Sequence, residues 1–235
     1  MNIHLITAFP ETFDGFFESS IISRALKQTR VRVYRHFIRD YAKGKHKQID
    51  DYPYGGGAGM ILKPEPIFEC VKDIYNKYEL MDTKLIFLTP AGERYTQKKA
   101  VELSLRNNLV LLCGHYKGVD QRVLNNVVDE ELSIGDFVLT GGETAAMCVL
   151  DSVIRLLPGV LGDIDSAFND SFQTGLLDHP HYTRPVVFNN EKVPDVLLSG
   201  NHAEIEKWRR EEALRITKKK RYDLYKSELN KNSSD

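Results

Sequence analysis

The sequence predicts an α/β layered domain followed by a smaller helical module, and three observations carry that reading. Leu85 to Thr89, Leu109 to Cys113 and Ile134 to Leu139 are largely apolar runs that do not alternate with polar residues, as expected of strands buried on both faces of a parallel sheet. Segments of helical periodicity fill the gaps between them, a βαβ order. After Pro158-Gly159 the composition changes, and residues 162 to 195 are rich in Asp, Asn, Pro and His. We therefore expect residues 1–160 to form the α/β domain, 161–175 an interdomain linker, and 176–235 a small all-helical C-terminal domain.

Residues 2 to 9 read as a first strand, and Pro10-Glu11 then opens a helical segment to about Lys27, with Phe13, Phe16, Phe17, Ile21 and Leu26 near helical spacing. Val31, Val33 and Phe37 suggest a second strand. One helix is expected near Thr96, carrying Ala100, Val101 and Leu105, and another from about Glu143 to Leu157. Beyond the Asp-rich stretch, Asn201 to Leu229 reads as helical, with Asn201 as its cap and Ile205 and Trp208 one turn apart.

Composition excludes several classes. Of the 235 residues, 42% are hydrophobic and 28% charged, which is ordinary globular usage rather than a disordered or disulfide-dense chain. Cys70, Cys113 and Cys148 are too far apart in sequence for a CxxC pair, and a reducing cytoplasm is the expected compartment. Met-Asn-Ile-His-Leu lacks a basic leader, and no run approaches the ~18 apolar residues of a membrane span.

The formal charge is only −1, yet it is unevenly spread. Nine basic residues lie between Arg24 and Lys47 with Asp40 the only acid, and ten lie between Lys207 and Asp235 against five acids. Fields depend on charge within a Debye length, roughly 8 Å in physiological salt, so both clusters can attract phosphates.

Each apolar run is followed by glycine: Thr89-Pro90-Ala91-Gly92, Gly114-His115-Tyr116-Lys117-Gly118 and Thr140-Gly141-Gly142. Ligands of open α/β sheets bind outside the carboxyl ends of strands, where glycine admits a ligand close to backbone. No GxxxxGK[ST] and no GxGxxG after the first strand is present, so triphosphate chemistry loses ground. Leu88, Tyr116, Ile134, Phe137 and Leu139 suit an apolar group such as adenosine, with Lys117 the one cation. A fourth cluster, Tyr54-Gly55-Gly56-Gly57-Ala58-Gly59-Met60, reads as a packed loop because Met60-Ile61-Leu62 flank it. Arg155 near a helix end and Asp163, Asp165, Asp170 and Asp178 in the following loop are candidates for oxyanion stabilisation and for a base, and spacing does not choose among the carboxylates.

The strings LTPAG (88–92), CGHYKGVDQR (113–122), ELSIGDFVLTGGE (131–143), RLLPGVLG (155–162), DSFQTGLLDHPHYTRP (170–185) and VLLSGNHAEIEKWR (196–209), with YGGGAGM before them, resemble the bacterial tRNA (guanine-N1)-methyltransferases of the SPOUT class, the TrmD family. The resemblance implies a trefoil knot in the C-terminal part of the α/β domain, a bent S-adenosylmethionine, and a homodimer whose active sites are shared between subunits. It implies methylation of N1 of the guanine just 3′ of the anticodon, tRNA position 37. The family's catalytic Asp and Arg fall on Asp170 and Arg155, and its cofactor loops on Leu88, Thr89, Pro90, Gly114, Tyr116, Ile134, Gly135, Asp136, Phe137, Val138, Leu139, Gly141 and Gly142. His46, Asp50 and Gly59 are candidates for RNA contacts, and the basic clusters would hold the anticodon arm by its phosphates.

The chain departs from the family pattern at His115 and Lys117, where Arg and Glu are usual, so the local charge is reversed and a magnesium requirement is left open. Two rivals share much of this pattern, a non-catalytic RNA-binding protein and a knotted methyltransferase acting on another atom. His179-Pro180-His181 reads as loop packing, because the sequence offers no third ligand at a fitting interval.

Overall fold

A computed structural model describes residues 1–80, 83–161 and 170–232. The chain divides into two compact units, Met1–Gly162 and Asp163–Asp235. Asp163 and Asp165 lie outside the described residues.

The first unit is built on a five-stranded sheet of β1 (Asn2–Thr7), β2 (Arg32–Phe37), β5 (Leu85–Arg94), β6 (Asn108–Cys113) and β7 (Glu130–Ser133), in the order β2-β1-β6-β5-β7 with every pairing parallel. A separate small ladder pairs β3 (Asp50–Asp51) with β4 (Ile61–Leu62) in antiparallel fashion. Alternate residues of β1 and β6 serve two cores. Ile3, Leu5, Leu109 and Leu111 pack with Ile22 of α2 (Ser20–Lys27) and with Val149 and Val153 of α6 (Gly142–Ile154). Ile6, Val110 and Leu112 pack instead with Ile67, Cys70 and Ile74 of α3 (Pro64–Lys77). With helices on both faces, all but the first position of β1 and of β6 are buried, which is why these runs do not alternate. Each such side chain contributes about 1.5 to 3 kcal/mol relative to exposure.

Helices α4 (Gln97–Ser104) and α5 (Gln121–Asn126) begin at Thr96 and Asp120, whose side chains accept from the backbone N–H of Lys99 and Arg122. The segment expected as one helix from Pro10 is instead a 3-10 turn, Pro10–Phe13, then α1 (Asp14–Glu18), then α2. The Ser19 hydroxyl donates to the Gly15 and Phe16 carbonyls, and Ser20 takes a φ of +50°, so the helix path breaks there.

Two strand expectations need correction. Ile134 to Leu139 is a loop, and the strand, β7, lies just before it. Gly135 has a φ of +153°, and the Ser133 hydroxyl bonds to both its N–H and its carbonyl, which turns the chain out of the sheet. By contrast β5 runs through Thr89-Pro90-Ala91-Gly92 to Arg94. Leu88 and Glu93 both pair with Leu132, so residues 89–92 bulge out of the ladder as a loop inside a strand.

The second unit is not all-helical. Its strands β8 (Val187–Phe188) and β9 (Glu191–Lys192) form a hairpin across Asn189-Asn190, both with positive φ, as a two-residue hairpin turn requires. Helices α7 (Asp195–Leu198), α8 (His202–Lys220) and α9 (Tyr222–Asn232) follow. The Asn201 side chain accepts from the Glu204 N–H and caps α8. Arg221, with φ −141°, breaks the single helix expected to Leu229. The Leu177 N–H donates to the buried Thr217 hydroxyl at 2.9 Å, and the Arg221 guanidinium lies 5.9 Å from the Phe172 ring. Phe172 and Leu177 therefore pack within this unit.

Candidate functional site

At the carboxyl ends of β5, β6 and β7 the first unit carries a cleft of about 110 Å³. All the cofactor candidates except Asp136 and Val138 line it. His115, Lys117, Gly118 and Thr140, which belong to the strand-end loops read from the sequence, line it too, and so do Phe87, Ser133 and Ala145, which that reading did not place there. Two of these loops close on one another. The Gly142 N–H donates to the Gly114 carbonyl at 2.7 Å, and His115 forms a β-bridge with Gly141. A Cβ at Gly142 would lie 2.8 Å from both Cys113 Cα and Gly114 N, backbone atoms that cannot yield cheaply. Only glycine lets β6 and α6 meet here.

Beneath the loops is a buried polar pair. Glu143, in the first turn of α6, accepts a 2.6 Å hydrogen bond from the Thr7 hydroxyl at the end of β1. Its other carboxylate oxygen lies 3.8 Å from His115 Nδ1. The His115 ring packs on Phe9 and Tyr116, with centroids 4.4 and 4.8 Å away. Among the described residues the cleft walls hold no carboxylate, and Lys117 is their only lysine or arginine. Magnesium takes carboxylate and other hard oxygen ligands, so this lining does not fit it.

Asp50 and Gly59 are brought to the same loop. Burial, and then the Asp50 carboxylate that accepts from its hydroxyl, push the Tyr116 phenol above its ordinary range. Gly59, with φ +96°, faces Lys117, whose Cγ would lie 2.7 Å from an added Cβ. The Lys117 N–H donates to the Met60 carbonyl, whereas Gly55, Gly56 and Gly57 face open space. His46 is exposed on the segment before β3. Arg155 caps the C-terminal end of α6 in the first unit.

Asp170 stands in the second unit, where it lines a separate cleft of about 640 Å³ with Asp178, His179, Lys207 and Arg210. The two basic clusters differ in their pairing. Arg209, Arg215 and Arg221 are tied to Glu206, Glu212 and Asp223 close by in sequence. In the Arg24–Lys47 cluster, Arg35 meets Asp14 and Lys47 meets Asp40. Exposed pairs of this kind contribute about 0 to 1 kcal/mol each and yield readily to a phosphate partner.

A parallel sheet with glycine-lined loops at its strand ends places this unit among α/β proteins, the class whose ligands bind at that edge. Comparison with known proteins then specifies the family. The family model described as tRNA (Guanine-1)-methyltransferase TrmD matches residues 1–227. A Clostridioides difficile (strain 630) protein named tRNA (guanine-N(1)-)-methyltransferase is 49% identical over 226 residues, covering 96% of this chain and 98% of that protein. Proteins of the same name from Listeria innocua and Bacillus pumilus are each 54% identical over 227 residues, covering 97% of this chain and, for the Listeria protein, 93% of the relative. The chain belongs to the tRNA (guanine-1)-methyltransferase TrmD family.

Proposed function

We propose that this protein uses S-adenosylmethionine to methylate N1 of the guanine just 3′ of the anticodon of tRNA, position 37. The observation that carries the proposal is the family match over residues 1–227 in a chain whose strand-end loops form one cleft. About 110 Å³ is small against the ~300 to 1,000 Å³ of drug-sized sites, so the cleft would enclose a base-sized part of the cofactor. Leu88, Ile134, Phe137 and Leu139 would cover the adenosine, and the Gly114 to Gly118 and Gly141-Gly142 loops would bring backbone groups to it. When bound, the cofactor supplies an activated methyl group on a sulfonium, an electrophile that needs no metal.

Guanine N1 carries a proton at neutral pH and is a poor nucleophile until that proton leaves. Asp170 would accept it, and Arg155 would donate hydrogen bonds to O6 as charge spreads there. The remaining task is alignment of N1, methyl and sulfur, with reacting atoms about 3 to 3.5 Å apart. The target base sits in an anticodon loop, where turning it out of the stack costs less than opening a duplex. The exposed cluster between Arg24 and Lys47 and the helical second unit would hold the arm by its phosphates.

The same reading includes the trefoil knot, a cytoplasmic location and a homodimer in which each active site draws on both subunits. Exposed Phe137 and Val138, 53% and 85% accessible in a single chain, support a partner over that loop. Among the described residues no helix is long and apolar enough to cross a membrane. The test is incubation of the purified protein with methyl-labelled cofactor and an unmodified tRNA transcript, followed by nucleoside mapping. Label in N1-methylguanine at that position is expected. Label on a ribose 2′-oxygen or another base, or none, would refute the proposal.

A further inference from the structure

We propose that Asp178, His179 and His181 form, within the second unit, a binding site for a borderline transition-metal ion of the zinc, cobalt or nickel type. Two histidines with one residue between them are no site by themselves. The structure supplies the third donor from the residue just before them: one ligand atom from each of the three lies within 4.8 Å of the others. The carboxylate is held in place, because Asp178 Oδ1 accepts from the His179 backbone N–H at 2.7 Å and the Asp178 N–H donates to the Ser171 hydroxyl.

The tautomer of His179 is the second, independent observation. Its Nδ1 lies 3.0 Å from the Pro180 carbonyl, which can only accept, so Nδ1 carries the hydrogen. His179 Nε2 lies 3.7 Å from an Asp178 carboxylate oxygen, a gap that a cation bonded to both atoms would span. An imidazole that donates its other N–H to a backbone carbonyl while its lone pair stays free is how metal-binding histidines are oriented. His181 Nε2 lies 2.8 Å from the other carboxylate oxygen, Oδ2. On binding, the metal replaces the hydrogen shared there, and that proton passes to the exposed Nδ1 of the same ring. The Asp178 and His179 side chains are 25% and 17% exposed and that of His181 69%, so an ion can enter and keep water in its open positions. Two imidazoles and one carboxylate select zinc, cobalt or nickel over magnesium.

The chain has one tryptophan, Trp208, with its ring centroid 6.1 Å from that of His179. Tag-free full-length protein is titrated with Co²⁺ alone, reading tryptophan emission and the visible Co²⁺ absorption. Saturable quenching at one equivalent is expected, reversed by Zn²⁺ and unaffected by excess Mg²⁺. His179→Gln and His181→Gln should each weaken binding at least tenfold, while His202→Gln, outside the cluster, leaves it unchanged. His181 is exposed, so its replacement leaves the fold intact, which far-ultraviolet circular dichroism verifies. Absence of a saturable signal, equal affinity in wild type and both cluster variants, or competition by Mg²⁺ would overturn the assignment. Because the readout is metal binding, the result does not depend on whether the chain methylates tRNA.

Discussion

The Thr7 hydroxyl donates to Glu143 Oε1 at 2.6 Å, joining the end of β1 to the first turn of α6 in a place with almost no solvent. Thr7 also accepts from the Phe9 N–H, so this one hydroxyl fixes the chain as it leaves the central strand. Thr7→Val keeps the shape and strands the carboxylate. A buried acceptor deprived of its partner costs about 1 to 3 kcal/mol. The expected outcome is a melting temperature lower by about 2 to 4 °C per kcal/mol, with Thr7→Ser largely restoring it. An unchanged melting temperature in Thr7→Val would show the bond to be idle.

Gly142→Ala places a methyl group 2.8 Å from Cys113 Cα and Gly114 N, so the loops after β6 and before α6 must part. Overpacking of this kind costs about 1 to 3 kcal/mol. Calorimetric titration with S-adenosylmethionine should show affinity falling at least about tenfold, since 1.4 kcal/mol is a factor of ten. Wild-type affinity in the variant would remove the loop contact from the account of the site.

His4 and His36 sit on neighbouring strands with Nδ1 of one 3.0 Å from Nε2 of the other. Burial, then the charge of His36, lower His4 to about 4. Burial also lowers His36 to about 4, with Asp73 opposing and Lys77 assisting. The Tyr34 and Tyr78 rings complete the surroundings. A depressed histidine pKa means the unfolded chain binds more protons between about pH 6.5 and 4. Stability is therefore complete above pH 6.5 and falls by a few kcal/mol as pH drops toward 4. Urea unfolding at stepped pH should show this, and His36→Gln should flatten the slope. An unaltered slope in that variant would assign the acid sensitivity elsewhere.

Val138 is 85% exposed and does not line the cleft beside it. If the homodimer proposed above covers this loop, Val138→Asp should move the sedimentation of the protein from dimer toward monomer and lower turnover with it. A dimer unaffected by the charge would place the interface on another surface.

Strands β1, β2, β6 and the first half of β5 were legible in the sequence, and for β6 the reason is that dry faces leave a simple signature: Leu109 to Cys113 can only be apolar when α3 and α6 cover both sides. Thr96 and Asn201 announced their helices because a cap is a local bond, readable from residue type alone. Ile134 to Leu139 was misread for an equally physical reason. Its apolar residues lie on a loop, with Phe137 and Val138 exposed, and an apolar run records burial in some complex as readily as burial in a sheet. Helix α3, whose buried stripe is Ile67, Cys70 and Ile74, is masked in the sequence because Pro64 and Pro66 at its start resemble loop residues, although proline suits a first helical turn. Most of the glycine-loop lining could be named in advance. That Asp178 turns its carboxylate toward His179 and His181 could not, since it depends on the fold of a few backbone bonds.

The central claim is that one carboxylate removes the N1 proton of a guanine held against the methyl donor. Single-turnover methyl transfer to unmodified tRNA by Asp170→Asn, measured beside cofactor affinity, tests it most directly. The expected result is a rate lower by about 10² to 10⁴, the usual contribution of a general base, with cofactor affinity within about threefold of wild type. A variant that keeps its rate, or that fails only because it no longer binds cofactor, would contradict the role given to Asp170.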